Sequence, residues 1–254
     1  MKNRKQLPCF GYLDNFQIDI NALINHLQSN GLLDFDKYND INLKAQSSMR
    51  DFVLANEYCH SNFFKEEGYE SMNSDKFRHL MLTKFDESKR TDKVSFKFTN
   101  QFERQRRLDP NSPGYMPEAD ELNYGVRTEL VTGEIEKILN MFTSKVTRVR
   151  LAYIAGNHDL KPHIDYDPTY IVRYHIPIIT NPGVNMYMER NGQIYKRHLP
   201  VDGRVYFFNT GIKHWVTNDS DQDRVHLIID VHGQDELEHL ISLDEQSLQP
   251  IDIV

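Results

Sequence analysis

The sequence predicts a mainly β protein: an all-β barrel or double-sheet jelly roll with helices packed on its outside. Two observations carry this expectation. The first is a change of character at Val146, after which short β-branched and aromatic runs follow one another: "VTRVRLAYIAG", "YIVRYHIPII", "VNMYMER", "QIYKRHL", "RVYFFN" and "RVHLIIDV". The second is the punctuation between them, "DPTY", "TNPG", "RNGQ" and "VDGR", in which Gly, Pro, Asn and Asp supply turns. Repeated short strands separated by such turns belong to sandwiches, barrels and jelly rolls.

The N-terminal half mixes periods. In "DINALINHLQSNG", Ile20, Leu23, Ile24 and Leu27 recur at helical spacing, with Asp19 as the expected N-cap and Gly31 as the stop. "VSFKFTN" alternates Val94, Phe96 and Phe98 as a half-buried strand does. Leu108 to Glu121 is rich in Pro, Gly and acidic residues and reads as a loop. "RTELVTGEIEKILNMF" sets Val131, Ile135, Ile138, Leu139 and Phe142 on one helical face. With 254 residues, 39% of them hydrophobic, the chain suits one domain with a sizeable core. Residues 1–145 are expected to form a helix and strand elaboration packed on the barrel, and residues 146–235 its core strands.

Composition excludes several function classes. A net charge of −7 argues against a nucleic-acid partner, and the run "RQRR" at Arg104–Arg107 reads as a solvated face. No apolar run approaches a membrane span, and the N-terminus lacks a signal-peptide core. Two cysteines, Cys9 and Cys59, are too few for a disulfide framework and lack metal-ligand spacing, so a reduced cytoplasmic compartment is expected. Eight of the eleven histidines lie between His158 and His239, which directs attention to the C-terminal half.

There, "KPHIDYDP" places His163 and Asp165 two residues apart, on one face if the segment is a strand. Alone, this pair would be a hydrogen-bonded structural feature. "IKHWVTN" adds His214 from a distant strand. Two imidazoles and one carboxylate form the facial triad that holds non-haem Fe(II) and leaves coordination positions open for oxygen chemistry. Arg224 follows ten residues later, able to grip a carboxylate bidentately; its plain alternative is a surface ion pair with Asp221 or Asp223. Arg173 and His175 again share a face, fitting either a ligand contact or a buried structural network. So many polar groups on inward faces are costly unless they bind something. His226 and Trp215 are expected in the core, Asn181 and Asn218 in turns, and one of Arg148 and Arg150 towards the pocket.

Taken together, "HID…RYHIPIITNP…G…YFFNTGIKHWVTN…DRVHLIIDV" resembles the aspartyl/asparaginyl β-hydroxylase family of Fe(II)/2-oxoglutarate dioxygenases, and is similar to the bacterial cis-proline hydroxylases. The resemblance covers roughly Arg148 to Val231. It implies a double-stranded β-helix of cupin-like type, with His163, Asp165 and His214 as iron ligands, Arg224 on the distal carboxylate of 2-oxoglutarate, and Arg173 with His175 lining the co-substrate or substrate end. It also implies O₂ as oxidant and an amino acid, free or within a peptide or protein, as substrate. The animal β-hydroxylase has no carboxylate where Asp165 stands. The alternative reading is a non-oxygenase cupin, either a metal-dependent isomerase or a small-molecule sensor.

Overall fold

A computed structural model describes residues 1–34, 76–90, 110–111, 115, 117 and 120–244. In chain order its strands and helices are β1 (Phe10–Gln17), α1 (Ile20–Ser29), β2 (Phe77–Met81), β3 (Thr83–Lys84), β4 (Val126–Arg127) and α2 (Gly133–Leu139). Then come β5 (Lys145–Ile154), β6 (Leu160–His163), β7 (Val172–Ile179), β8 (Val184–Arg190), β9 (Gln193–Arg197), β10 (Arg204–Phe208), β11 (Lys213–Asn218), β12 (Arg224–His232) and β13 (Leu240–Ser242). The expected strand at Val94–Phe98, the run Arg104–Arg107 and Cys59 lie outside the described residues, as does most of the loop expected from Leu108.

Two antiparallel sheets face each other. The larger has the order β13-β1-β10-β7-β12-β5-β2 and the smaller β6-β11-β8-β9; β3 and β4 form a separate ribbon. This is the jelly-roll core that the strand punctuation predicts. The large sheet draws β1 and β2 from before residue 146 as well as the strands after it.

Strand parity explains the layering. In β12, Val225, Leu227, Ile229 and Val231 face outward into a core shared with Tyr174 and Ile176 of β7, Leu151 of β5, and Leu23, Leu27, Ile135 and Leu139 of the two helices. The opposite parity of the same strands points inward. There Phe10, Phe77, Ile154, Tyr206 and Phe208 meet Val184, Met186, Met188 and Val216 of the small sheet. Each fully buried aliphatic or aromatic side chain contributes about 1.5–3 kcal/mol. The large sheet is thus covered on both faces, and its strands read as nearly continuous apolar runs.

The helices follow their sequence signals. Asp19 accepts a hydrogen bond from the Ala22 amide at 3.0 Å, capping α1. At the other end Gly31, at φ +67°, donates to the Gln28 carbonyl (3.0 Å), and Leu32 donates to Leu27 (2.9 Å), closing the helix with a left-handed glycine. Helix α2 is only seven residues long, because the face from Val131 to Phe142 includes flanking turns as well as helix. Gly133 sits in the left-handed region at φ +52°, which favours glycine, and a Cβ there would also lie 2.6 Å from the His26 ring.

Candidate metal centre

Antiparallel pairing of β11 with β6 sets His214 directly opposite His163. Their rings lie 4.3 Å apart, centroid to centroid. Each Nδ1 sits against the backbone carbonyl two residues earlier: His163 on Lys161 at 2.7 Å, His214 on Ile212 at 2.9 Å. A carbonyl only accepts, so both Nδ1 atoms carry the proton and both Nε2 atoms offer a lone pair. Asp165 stands between them, with Oδ1 3.9 Å from His163 Nε2 and Oδ2 3.9 Å from His214 Nε2. One ligand atom from each residue falls within 4.8 Å of the others, and this is a group of metal-ligand spacing among the described residues. The donor set, two neutral imidazoles and one carboxylate, fits a divalent cation.

One expectation needs correction. His163 and Asp165 do not share a strand, because β6 ends at His163 and Asp165 lies in irregular backbone. Pro162 cannot donate to a ladder, and β6 sits at the sheet edge, where a proline is tolerated. Asp165 is held instead by its own amide, which donates to the Thr210 carbonyl at 2.9 Å. The convergence arises from this turn, not from strand alternation.

Burial pushes the Asp165 carboxyl up, but Arg173 foremost, then His214 and His163, outweigh it and bring the pKa down to about 2. Burial lowers the His214 pKa to about 4 against the attraction of Asp165. Near neutral pH the cluster therefore presents a carboxylate and a neutral His214. His163 and Asp165 keep 33% and 25% of their side-chain surface exposed, whereas His214 keeps 3%, so the cluster opens to solvent on the His163 side.

The inner face of the large sheet supplies the second half of the site. Arg224 is 2% exposed. Its Nη2 lies 2.6 Å from His226 Nδ1, its Nε has no hydrogen-bond partner, and no carboxylate pairs with it among the described residues. Asp223, one of the two surface partners considered for it, instead accepts from the Gly156 amide. Burial drops the Arg224 pKa to about 9. Because a guanidinium only donates, His226 must accept through Nδ1 and carry its proton on Nε2. That Nε2–H is buried and unpartnered, and so is Nε2 of His175, whose Nδ1 is 3.3 Å from His226 Nδ1. Burial, with Arg224 next, holds the pKa of both histidines well below the usual range. His226 is therefore buried in the core, as the sequence suggested, with Nδ1 partnered and Nε2 left without a partner.

Arg173 has a different environment. Its Nε and Nη2 grip Asp230 Oδ1 and Oδ2 at 2.7 and 3.1 Å, and its Nη1 donates to Asp165 Oδ2. Arg150 adds a bond to Asp230 Oδ2 at 2.9 Å, while Arg148, in the left-handed region at φ +44°, pairs with Glu121. Arg150 is therefore the inward member of the Arg148–Arg150 pair.

Sequence reasoning did not single out Asp230 or His79. Asp230 shares the parity of Arg224 and His226 in "RVHLIIDV", so the signal was present. His79 comes from β2 opposite Ala152, and nothing local ties it to residues beyond 146. Trp215 is not in the core: it stacks in parallel on Tyr187, centroids 5.2 Å apart, on the outer side of the small sheet, because it alternates with the inward His214 and Val216. Asn218 makes turn bonds to the Ala155 and Gln222 carbonyls, and Asn181 caps the Gly183 amide, both as expected.

No helix among the described residues is long and apolar enough to cross a membrane. No curated protein sequence matches the chain. Among solved structures, a cupin domain from Bordetella pertussis overlaps at 17% identity, covering 36% of this chain and 88% of that one, with a TM-score of 0.28. A 2OG-Fe(II) oxygenase family oxidoreductase from Burkholderia pseudomallei overlaps at 16% identity over 41% and 54% of the two chains, TM-score 0.31. A Pseudomonas putida prolyl-4-hydroxylase overlaps at 17% identity over 39% and 55%, TM-score 0.29. This chain therefore spans little more than half the length of the latter two, and overlaps this weak say nothing about activity. The sequence match is more informative: residues 121–233, which carry all three ligand candidates together with Arg173, His175 and Arg224, match the aspartyl/asparaginyl beta-hydroxylase family, and on that match the protein is an enzyme of the hydroxylase kind.

Proposed function

We propose that the protein is an Fe(II)- and 2-oxoglutarate-dependent dioxygenase that hydroxylates an unactivated carbon of an amino acid, free or within a peptide or protein, in the cytoplasm. The overall reaction balances as substrate C–H, O₂ and 2-oxoglutarate giving C–OH, succinate and CO₂. The observation that carries this reading is Arg224, fully buried and without a carboxylate partner among the described residues, on the sheet face opposite the His163–Asp165–His214 cluster. A buried guanidinium without a counter-charge is costly, and a ligand carboxylate is the group that relieves the cost. An isomerase or sensor acting on a neutral molecule has no use for it.

His163, Asp165 and His214 would hold the cation through two Nε2 atoms and one carboxylate oxygen, leaving the other coordination positions open. When bound, Fe(II) with 2-oxoglutarate supplies the oxygen activation that inserts oxygen into a C–H bond. The chain's own residues bind and orient. Arg224 fixes the distal carboxylate by charge-assisted hydrogen bonds, and His226 Nε2–H is a second donor beside it. His175 flanks His226 and packs edge-on against Phe208, which also meets the His214 ring edge-on. These apolar contacts keep water from the carboxylate end. The exposed edge of His163 leaves room for the substrate to reach the cluster.

The test is an anaerobic mixture of protein, Fe(II) and 2-oxoglutarate. A visible metal-to-ligand charge-transfer band is expected, followed by succinate release in air across a panel of amino acids and short peptides. Absence of both the band and the succinate would favour the non-oxygenase cupin reading.

A further inference from the structure

We propose that Arg173 is a positioning residue for the Asp165 carboxylate, fixed in turn by Asp230 and Arg150, and not a co-substrate contact. The inference rests on the metal reading above and assigns the buried charges that reading leaves unused.

Asp165 needs such support. It lies past the end of β6, its backbone tether is one amide bond to Thr210, and its side chain is a quarter exposed. Left to itself, the carboxylate could turn away or offer either oxygen. Arg173 removes that freedom by donating from Nη1 to Oδ2, so that Oδ1, 3.9 Å from His163 Nε2, is the oxygen left for a cation.

Arg173 is itself immobilised. Asp230 lies directly across from it in the β12–β7 ladder, and the guanidinium fork closes on both Asp230 oxygens. All three Arg173 nitrogens are thereby engaged. Asp230 is fully buried, and its Oδ2 also takes Arg150 Nη1. A shift in the β12–β5 register between Ile228 and Asp230 accompanies this geometry.

The charges alternate along the row: Arg150, Asp230, Arg173, Asp165. Two positive and two negative groups balance only when Asp165 is ionised. Desolvating the first three is costly, and a structural ion pair would be complete with Arg150 or Arg173 alone on Asp230. The row continues instead to the one carboxylate that stands 3.9 Å from each of two imidazole nitrogens. Arg224 has no such partner among the described residues. The two arginines on this face therefore differ in role: Arg173 is satisfied internally, and Arg224 is open to a ligand.

The experiment is Mn(II) titration of the full-length apo protein by calorimetry, in wild type, His163→Ala, Asp165→Ala, Arg173→Lys and the double variant Asp165→Ala/Arg173→Lys. Lysine keeps the positive charge near the cation but cannot hold Asp230 and Asp165 together. Arg173→Lys is expected to weaken Mn(II) binding ten-fold or more, the usual effect of losing an outer partner of a metal ligand. In the Asp165→Ala background the same change is expected to matter less than two-fold, because Arg173 acts through Asp165. Wild-type affinity in Arg173→Lys, or an equal loss in both backgrounds, overturns the inference. No Mn(II) binding by wild type overturns the metal reading itself, and wild-type affinity in His163→Ala overturns the ligand set. If Arg173→Lys does not fold, Arg173→Gln with Asp230→Asn removes one charge of each sign and is read in the same way, with and without Asp165.

Discussion

Replacing Arg224 with methionine should raise stability without ligand and shrink the stabilisation that ligand brings. Without ligand, wild type carries a guanidinium that is 2% exposed and whose hydrogen-bond partner among the described residues is a neutral imidazole. Burial depresses its pKa from 12.5 to about 9. At 1.36 kcal/mol per unit, that is a penalty on the charged form on the order of 5 kcal/mol. Methionine fills similar volume, removes the charge and leaves His226 Nδ1 without its donor, at a cost of about 1–3 kcal/mol. The net gain is therefore about 2–4 kcal/mol, or roughly 4–16 °C in Tm for a domain of this size. With Mn(II) and saturating 2-oxoglutarate the gap between the two should narrow. Ligand at 100 times Kd stabilises wild type by about 2.7 kcal/mol. The variant loses a charge-assisted bond of about 1.5–3 kcal/mol, a ten- to hundred-fold or greater loss of affinity, and gains little from the same ligand. The assay is a thermal melt of both proteins with and without 2-oxoglutarate, paired with calorimetric Kd values. A variant less stable than wild type in the apo state and unchanged in 2-oxoglutarate affinity would refute the reasoning and make Arg224 a structural residue.

Other outcomes follow from the same geometry. His163→Ala and His214→Ala should each abolish succinate release in a coupled assay and weaken divalent-ion binding in calorimetry by more than ten-fold, since each removes one of three protein ligands. Asp230→Asn should cost about 3–5 kcal/mol at pH 7 by denaturant titration, because it strips Arg150 and Arg173 of a shared buried carboxylate. The pH sign is definite: burial raises the Asp230 pKa, but Arg150 and Arg173 outweigh it and hold it below 3.8, so its contribution is complete above about pH 4 and lost as pH falls through the folded value. Asp230→Asn should therefore flatten the acid limb of the stability profile. Trp215→Phe should leave Mn(II) affinity within two-fold, because the ring stacks on Tyr187 outside the small sheet. Leu27→Ala should cost about 2–5 kcal/mol without changing Mn(II) affinity, since Leu27 belongs to the helix-covered core on the far side of the large sheet.

Much of the architecture could be read locally. Helix α1 has its cap, apolar stripe and terminating glycine within thirteen residues, so its bounds needed no tertiary information. Strand periodicity told which residues of β7 and β12 share a face, because alternation is a property of the extended backbone itself. It placed Arg173 with His175 and Arg224 with His226 before any contact was known, and the turn residues separated β5, β7, β8, β9, β10 and β12, while β6, β11 and β13 were not among the runs. The H-x-D, distal His and Arg pattern named the residues that the fold brings together. Tertiary structure alone decided what those residues meet. Which arginine finds a carboxylate depends on cross-strand register, which is set by pairing between segments dozens of residues apart. The β12–β7 register gives Asp230 to Arg173, whereas the β12–β5 register sets the apolar Ile154 opposite Arg224. The edge position of β6 ends the strand at His163 and leaves Asp165 to a turn. The pairing of β2 with β5 brings His79 to the inner face from far outside the motif. Local sequence determines conformation and facing; the separation of a ligand-binding arginine from an internally neutralised one is a non-local electrostatic fact, fixed only when the sheets are assembled.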